Sequence, residues 1–241
     1  MCRNIHAAQT LLGLSLLVAL GGCTPEPARP TVGSTSPTGQ TTPQGQTTKE
    51  AGAAPLVFDL EWARDHPYFP TRVGDTWVIQ IGDTPDNLLT QTVTQVREAD
   101  GTKVITVAAV LKGGRLDTRE EITVSDKGIF RRAINVFDNR VKSDPTCLLQ
   151  LPVKIGAKWD LHAAAIPGFQ SERTGTSTVA AEEEVEVPAG KVKAVRVETE
   201  YSDNGGPIQK GTSWYARGVG EVKSVYTKGH TVLKEFTRGK E

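Results

Sequence analysis

Metal-ligating and redox-active side chains are scarce in this chain, which has three Cys, four His and one Met in 241 residues. So few, so widely spaced, they exclude a zinc cage and a disulfide framework. Charge of one sign is missing as well. Lys+Arg and Asp+Glu both number 28, for a formal net charge of zero. With no basic surplus to hold a phosphate backbone, nucleic-acid binding is excluded as a dedicated role. No apolar run reaches the roughly 20 residues of a membrane-spanning helix. Neither a Gly-x-Ser-x-Gly elbow nor a glycine-rich phosphate loop ahead of a helix occurs. No cofactor and no metal site is therefore expected.

What is present begins with an export signal. Arg3 precedes an apolar run from Leu11 to Leu20, broken only by Gly13 and Ser15. That is a charged segment followed by a short hydrophobic one. The run ends Leu20-Gly21-Gly22-Cys23, which resembles the lipobox of bacterial lipoproteins. Small residues suit a peptidase that needs extended backbone. Cleavage between Gly22 and Cys23 would leave a thiol able to carry an acyl anchor. The expected partner of Cys23 is thus the lipid bilayer. Thr24, rather than Asp, follows the Cys. The resemblance implies an outer-membrane destination in a two-membrane bacterium and the outer face of the cell membrane otherwise.

Three regions follow from composition: 1–22 as signal, 23–54 as lipidated Cys and tether, and 55–241 as one β-rich domain. Thr24 to Ala54 holds five Pro, eight Thr, four Gly and no aromatic. Such a stretch cannot bury enough apolar area to offset its backbone entropy, and is expected to be disordered.

In the domain, period-two patterns dominate. Trp77, Ile79 and Ile81 alternate with Val78 and Gln80. Glu120, Ile122 and Val124 oppose Arg119, Glu121 and Thr123. Val195, Val197, Thr199 and Tyr201 oppose Arg196, Glu198 and Glu200. These predict half-buried antiparallel strands. In 103–111 both parities carry apolar residues, as in a strand covered on both sides or lining a cavity. Asp100-Gly101, Gly113-Gly114, Pro188-Ala189-Gly190, Asn204-Gly205 and Lys228-Gly229 supply tight turns. The expected fold is mainly β: an antiparallel meander forming a strongly curved sheet, half-barrel or open barrel. One or two short helices are expected, at Asp59 to His66 and Ala133 to Arg140.

An internal echo accompanies the meander. Pro70-Thr-Arg-Val73-Gly74-Asp-Thr-Trp77 recurs as Pro152-Val-Lys-Ile155-Gly156-Ala-Lys-Trp159. It predicts two similar strand lead-ins, with Gly in a tight turn, Trp anchoring the next strand, and Val73 or Ile155 in the core.

Three stations carry a family resemblance: Tyr68-Phe69-Pro70 with Val73-Gly74 and Trp77; Val187 to Val192; and Trp214 to Lys223. Together they resemble a group of bacterial envelope lipoproteins with no assigned activity. The resemblance spans about residues 66 to 237. It implies a curved all-β sheet of the half-barrel kind found in lipoprotein carriers, and it implies no site residues.

Candidate chemistry is sparse. Cys147 would be the domain's single thiol, read as a buried small hydrophobe. An enzyme would need it as nucleophile with His162 as base and Asp160 on the same side of a strand. Glu182-Glu183-Glu184 with Glu186 reads as a solvated strand edge. The aromatics offer either core filling or an apolar ligand lining, with Trp77, Trp159, Trp214 and Tyr215 as the candidate lining residues. The expected function is an anchored, non-enzymatic binding module for a lipid or other apolar ligand. The alternative is a scaffold that docks another envelope protein. No sequence feature addresses oligomeric state.

Overall fold

The computed structural model describes residues 67–114, 117–136, 139–166 and 170–240. The alternation just noted becomes twelve antiparallel strands. They are β1 (Thr76–Ile81), β2 (Leu88–Ala99), β3 (Thr102–Leu111), β4 (Asp117–Ser125), β5 (Gly128–Val136) and β6 (Asn139–Gln150), then β7 (Lys158–Ala163), β8 (Arg173–Val187), β9 (Gly190–Asp203), β10 (Gln209–Ala216), β11 (Gly220–Tyr226) and β12 (Gly229–Thr237). Every sequential pair forms a hairpin except β6 and β7. The sheet order is β6-β5-β4-β3-β2-β1-β12-β11-β10-β9-β8-β7. First strand pairs with last, from Thr76↔Thr237 to Ile81↔Thr231. The meander therefore curls into a nearly closed barrel whose two end strands are β6 and β7. The two halves of the meander, β1–β6 and β7–β12, are joined through the β1–β12 ladder.

No helix occurs among the described residues. The helix expected over Ala133 to Arg140 is instead the end of β5 and the start of β6. The misreading has a local cause: a register irregularity between Arg131 and Ala133 moves the inward face from Arg131 to Ile134, a spacing of three, and leaves Ala133 on the other face buried too, which mimics a helical pattern. The first candidate helix, Asp59 to His66, the export signal, Gly22, Cys23 and the tether lie outside the described residues.

Single-sided burial replaces the two-sided cover expected for β3. Ile105, Val107, Ala109 and Leu111 are buried, whereas Val110 is largely exposed. The inward residues of all strands form one continuous core.

The internal echo is structural. Gly74 and Gly156 both take positive φ, 88° and 84°, a conformation open to glycine at no steric cost. Gly74 donates to the Val93 carbonyl and Val93 donates back to Asp75. Gly156 donates to the Val179 carbonyl and Val179 donates back to Ala157. Val93 and Val179 each stand at a β-bulge, in β2 and β8 respectively. Each turn thus docks on the strand that follows the one it leads into, and β1–β6 corresponds to β7–β12. One expectation fails here. Val73 and Ile155 are 53% and 70% exposed. The turn needs its apex outside the barrel, and the Trp alone reaches inward.

Three sequence stations meet at one end of the barrel. Trp77 packs on Phe69 and Phe236 at 5.9 and 6.0 Å between ring centroids. Its indole Nε1 donates to the Val219 carbonyl at 2.5 Å. Gly218 donates to the Pro67 carbonyl, and Ala189 donates to Leu233. The Val187–Val192 turn therefore tucks against β12 while the 214–223 segment grips the start of β1. These stations tie the lead-in to β1 to the last hairpins of the sheet.

Candidate functional site

The junction between β6 and β7 is the counterpart, under the internal repeat, of the β12–β1 ladder. It carries no ladder among the described residues. Side chains bridge it instead. Thr146 Oγ1 donates to the His162 carbonyl at 2.9 Å, and Trp159 Nε1 donates to the Cys147 carbonyl at 3.2 Å. Local sequence explains the missing ladder. Pro145 within β6 lacks an N–H, which confines it to an edge, and Pro152 interrupts the link to β7.

Directly behind this seam lies a cavity bordered by Arg131, Thr146, Cys147, Leu148, Leu161, Ala163, Ser177, Val197, Thr199, Ser213 and Tyr215. Six strands contribute, one or more residues each, at one level of the barrel. Ser177 and Thr199 share a hydroxyl–hydroxyl bond of 2.9 Å. One of their two protons is consumed by that bond, so the other is available to a guest. The free space is about 20 Å³, room for about one water. That is far below the several hundred Å³ expected for an apolar ligand cavity. Leu148 from the first half and Leu161, Val197 and Tyr215 from the second all border this space and leave little of it free.

Two ionisable side chains, Arg131 and Glu120, sit in this interior. Arg131 is 5% exposed. Its described hydrogen bond runs from Nη2 to Gln170 Oε1 at 3.4 Å, and its Nη1 has no partner. Glu120, on β4, is buried, and its Oε2 is also without a partner. Burial pushes the Glu120 carboxyl above its ordinary pKa, against the pull of the nearby Arg131 charge. A buried guanidinium with one long bond is costly, because each lost hydrogen bond to water goes unreplaced. Tyr215 is pushed well above its ordinary value by burial and then by Glu221, to which it donates.

The four predicted lining residues are divided. Tyr215 borders the cavity. Trp159 lies on the inward face of β7 and spans the seam. Trp77 is 2% exposed within the packed end described above. Trp214 faces outward, where its Nε1 donates to Glu183 at 2.8 Å and Lys223 lies 5.1 Å from its ring. Arg131, which the sequence reading did not single out, is the central polar group. Its parity with Ile129 on an apolar face was the available signal. Glu120 was already grouped with Ile122 and Val124.

Cys147 and His162 share no hydrogen bond among the described residues. Burial pushes the Cys147 thiol up to about 11, so at neutral pH it is not the thiolate a nucleophile requires. His162 faces solvent and places its Nε2 3.3 Å from Glu172. The acidic residues of β8 pair with β9: Glu182 with Lys193, Glu184 with Lys191 and Glu183 with Arg196. Among the described residues no cluster of His, Cys, Asp or Glu could hold a metal ion.

No protein-family profile and no curated protein matches the chain. Two crystal structures are similar to it. One is of a protein from Parabacteroides distasonis assigned as a lipoprotein, with 14% identity and a TM-score of 0.48, covering 71% of this chain and 99% of its own. The other is of an exported protein with a YmcC-like fold from Bacteroides fragilis, with 16% identity and a TM-score of 0.47, covering 72% and 100%.

Proposed function

We propose that this chain is an exported envelope lipoprotein, anchored through acylated Cys23. Its barrel is a non-enzymatic binding module for an amphipathic ligand admitted at the β6–β7 seam. One observation carries the ligand reading: a hydroxyl-lined cavity lies behind the junction that backbone hydrogen bonds leave open. The Leu20-Gly21-Gly22-Cys23 pattern and the Pro/Thr-rich tether support the anchor. The raised pKa of Cys147 and the outward pairing of His162 support a role without catalysis.

With room for about one water, the cavity takes only a polar head, so a tail must part β6 from β7. Native mass spectrometry of the acyl-free chain from Thr24, with and without a panel of bacterial lipids, tests this reading. Retained or acquired lipid is expected. Unliganded protein throughout would refute ligand binding. It would instead favour a scaffold, the reading to which the filled Trp77 end of the barrel also lends support. Fatty-acid labelling of wild type against Cys23→Ala tests the anchor, with loss of label and of the mature size expected.

A further inference from the structure

Resting on the ligand-binding reading, we propose that the seam cavity is a carboxylate site, in which Arg131 holds the ionised head of an acidic amphiphile. Three observations converge on this.

The first is the state of Arg131. Its guanidinium has five N–H donors in a planar fork. In this barrel it is almost wholly buried, borders the cavity, and leaves Nη1 without an acceptor. Glu120 does not fill that role, for no ion pair within 4.0 Å joins the two among the described residues. Glu120 thus acts on the positive charge only from beyond bonding distance, Nη1 borders an unfilled space, and an anion in that space would satisfy it.

The second is the wall opposite. Ser177 and Thr199 form a bonded hydroxyl pair that keeps one proton to donate. Ser213 and Thr146 border the same space, although Thr146 already donates across the seam. A guest between the guanidinium and the hydroxyl pair receives donors from two sides. That pattern suits an acceptor-only group.

The third is size. Space for about one water seats one oxygen of a head group as it stands; a flat two-oxygen head needs only a small shift of the seam side chains, a tetrahedral phosphate a larger one. A planar carboxylate also matches the guanidinium fork, whose paired N–H groups meet both oxygens at once. The apolar neighbours Leu148, Leu161 and Val197 then meet the first carbons of a tail, which leaves between β6 and β7.

The test uses the acyl-free chain from Thr24 and four probes: octanoate labelled with ¹³C at its carboxyl, methyl octanoate, acetate and inorganic phosphate. NMR titration gives each affinity for wild type, Arg131→Gln and Thr199→Val. The Thr199 variant removes one hydroxyl at nearly constant shape, which keeps the test alive should Arg131→Gln not fold. Octanoate should bind at least about ten-fold more tightly than its methyl ester, the worth of one charge-assisted hydrogen bond. Arg131→Gln should abolish that preference, and Thr199→Val should reduce octanoate binding. Acetate binding as tightly as octanoate would support the carboxylate site but overturn the amphiphile as its source. Equal binding of octanoate and ester, unchanged in both variants, would overturn the carboxylate site and leave the ligand reading standing. Preference for phosphate would overturn it too. Binding of none of the four would overturn both readings.

Discussion

At the residue scale, the barrel separates side chains that hold it together from side chains it holds at some cost. Trp77 belongs to the first group, buried between Phe69 and Phe236 and bonded to Val219. Trp77→Ala should destabilise the domain by about 3–5 kcal/mol, the usual cost of emptying an aromatic site. Chemical denaturation measures it. Arg173 also belongs there. It is 1% exposed, forms two bonds to Asp203 at 2.8 and 3.2 Å, and covers the Tyr201 ring at 4.2 Å. Glu120 belongs to the second group. Its carboxyl pKa is raised on folding, mainly by burial. A raised acid binds its proton more tightly when folded, so its contribution is fully present below the unfolded pKa. It is lost as pH rises from there through the folded pKa. Glu120→Gln should therefore flatten the decline in stability over that window and leave the variant more stable than wild type on its alkaline side. Thermal melts across pH would show this, and parallel curves would contradict it. Cys147, with its thiol pushed up to about 11, should react with a thiol reagent at pH 8 roughly a hundred-fold more slowly in native than in unfolded protein.

At the element scale, most strands were legible because their inner faces alternate cleanly, as Trp77, Ile79 and Ile81 do in β1. Where alternation breaks, so did the reading. The bulge in β5 puts Arg131 and Ile134 on the inner face three residues apart and leaves Ala133 buried on the other, which looks helical in one dimension. A second bulge, opposite Val78/Ile79, buries both Leu233 and Phe236 on β12, whereas alternation pairs Phe236 with Val232. The echoed turns were legible as a repeat but not in their facing, because sequence alone does not show that the apex residues Val73 and Ile155 point outward. Gly156 sits at φ +84° with open space around a would-be Cβ. Gly156→Ala should thus cost about 1–2 kcal/mol through backbone strain alone. Gly74→Ala should cost more, since its Cβ would meet the Gly239 backbone at 3.2 Å. Equal losses would argue against a packed contact at Gly74. The cavity was mostly hidden in the sequence. Its members come from six strands, and only the final curl brings Arg131 to face Ser177 and Thr199.

At the scale of the whole molecule, two junctions related by the internal repeat behave differently. β1 and β12 are joined by a backbone ladder of six residue pairs. β6 and β7 are joined by side chains reaching to carbonyls. The second junction has fewer backbone bonds to break, and the cavity lies behind it. Local opening should concentrate where backbone hydrogen bonds are fewest. The most direct test is amide hydrogen exchange of the acyl-free chain, followed in β1 (Thr76–Ile81) and in β7 (Lys158–Ala163), with and without saturating octanoate. β7 should exchange faster than β1 in the free protein and slow on addition of octanoate, while β1 stays unchanged. Equal protection of both strands, or a β7 rate indifferent to octanoate, would contradict a barrel that takes its ligand through the β6–β7 seam.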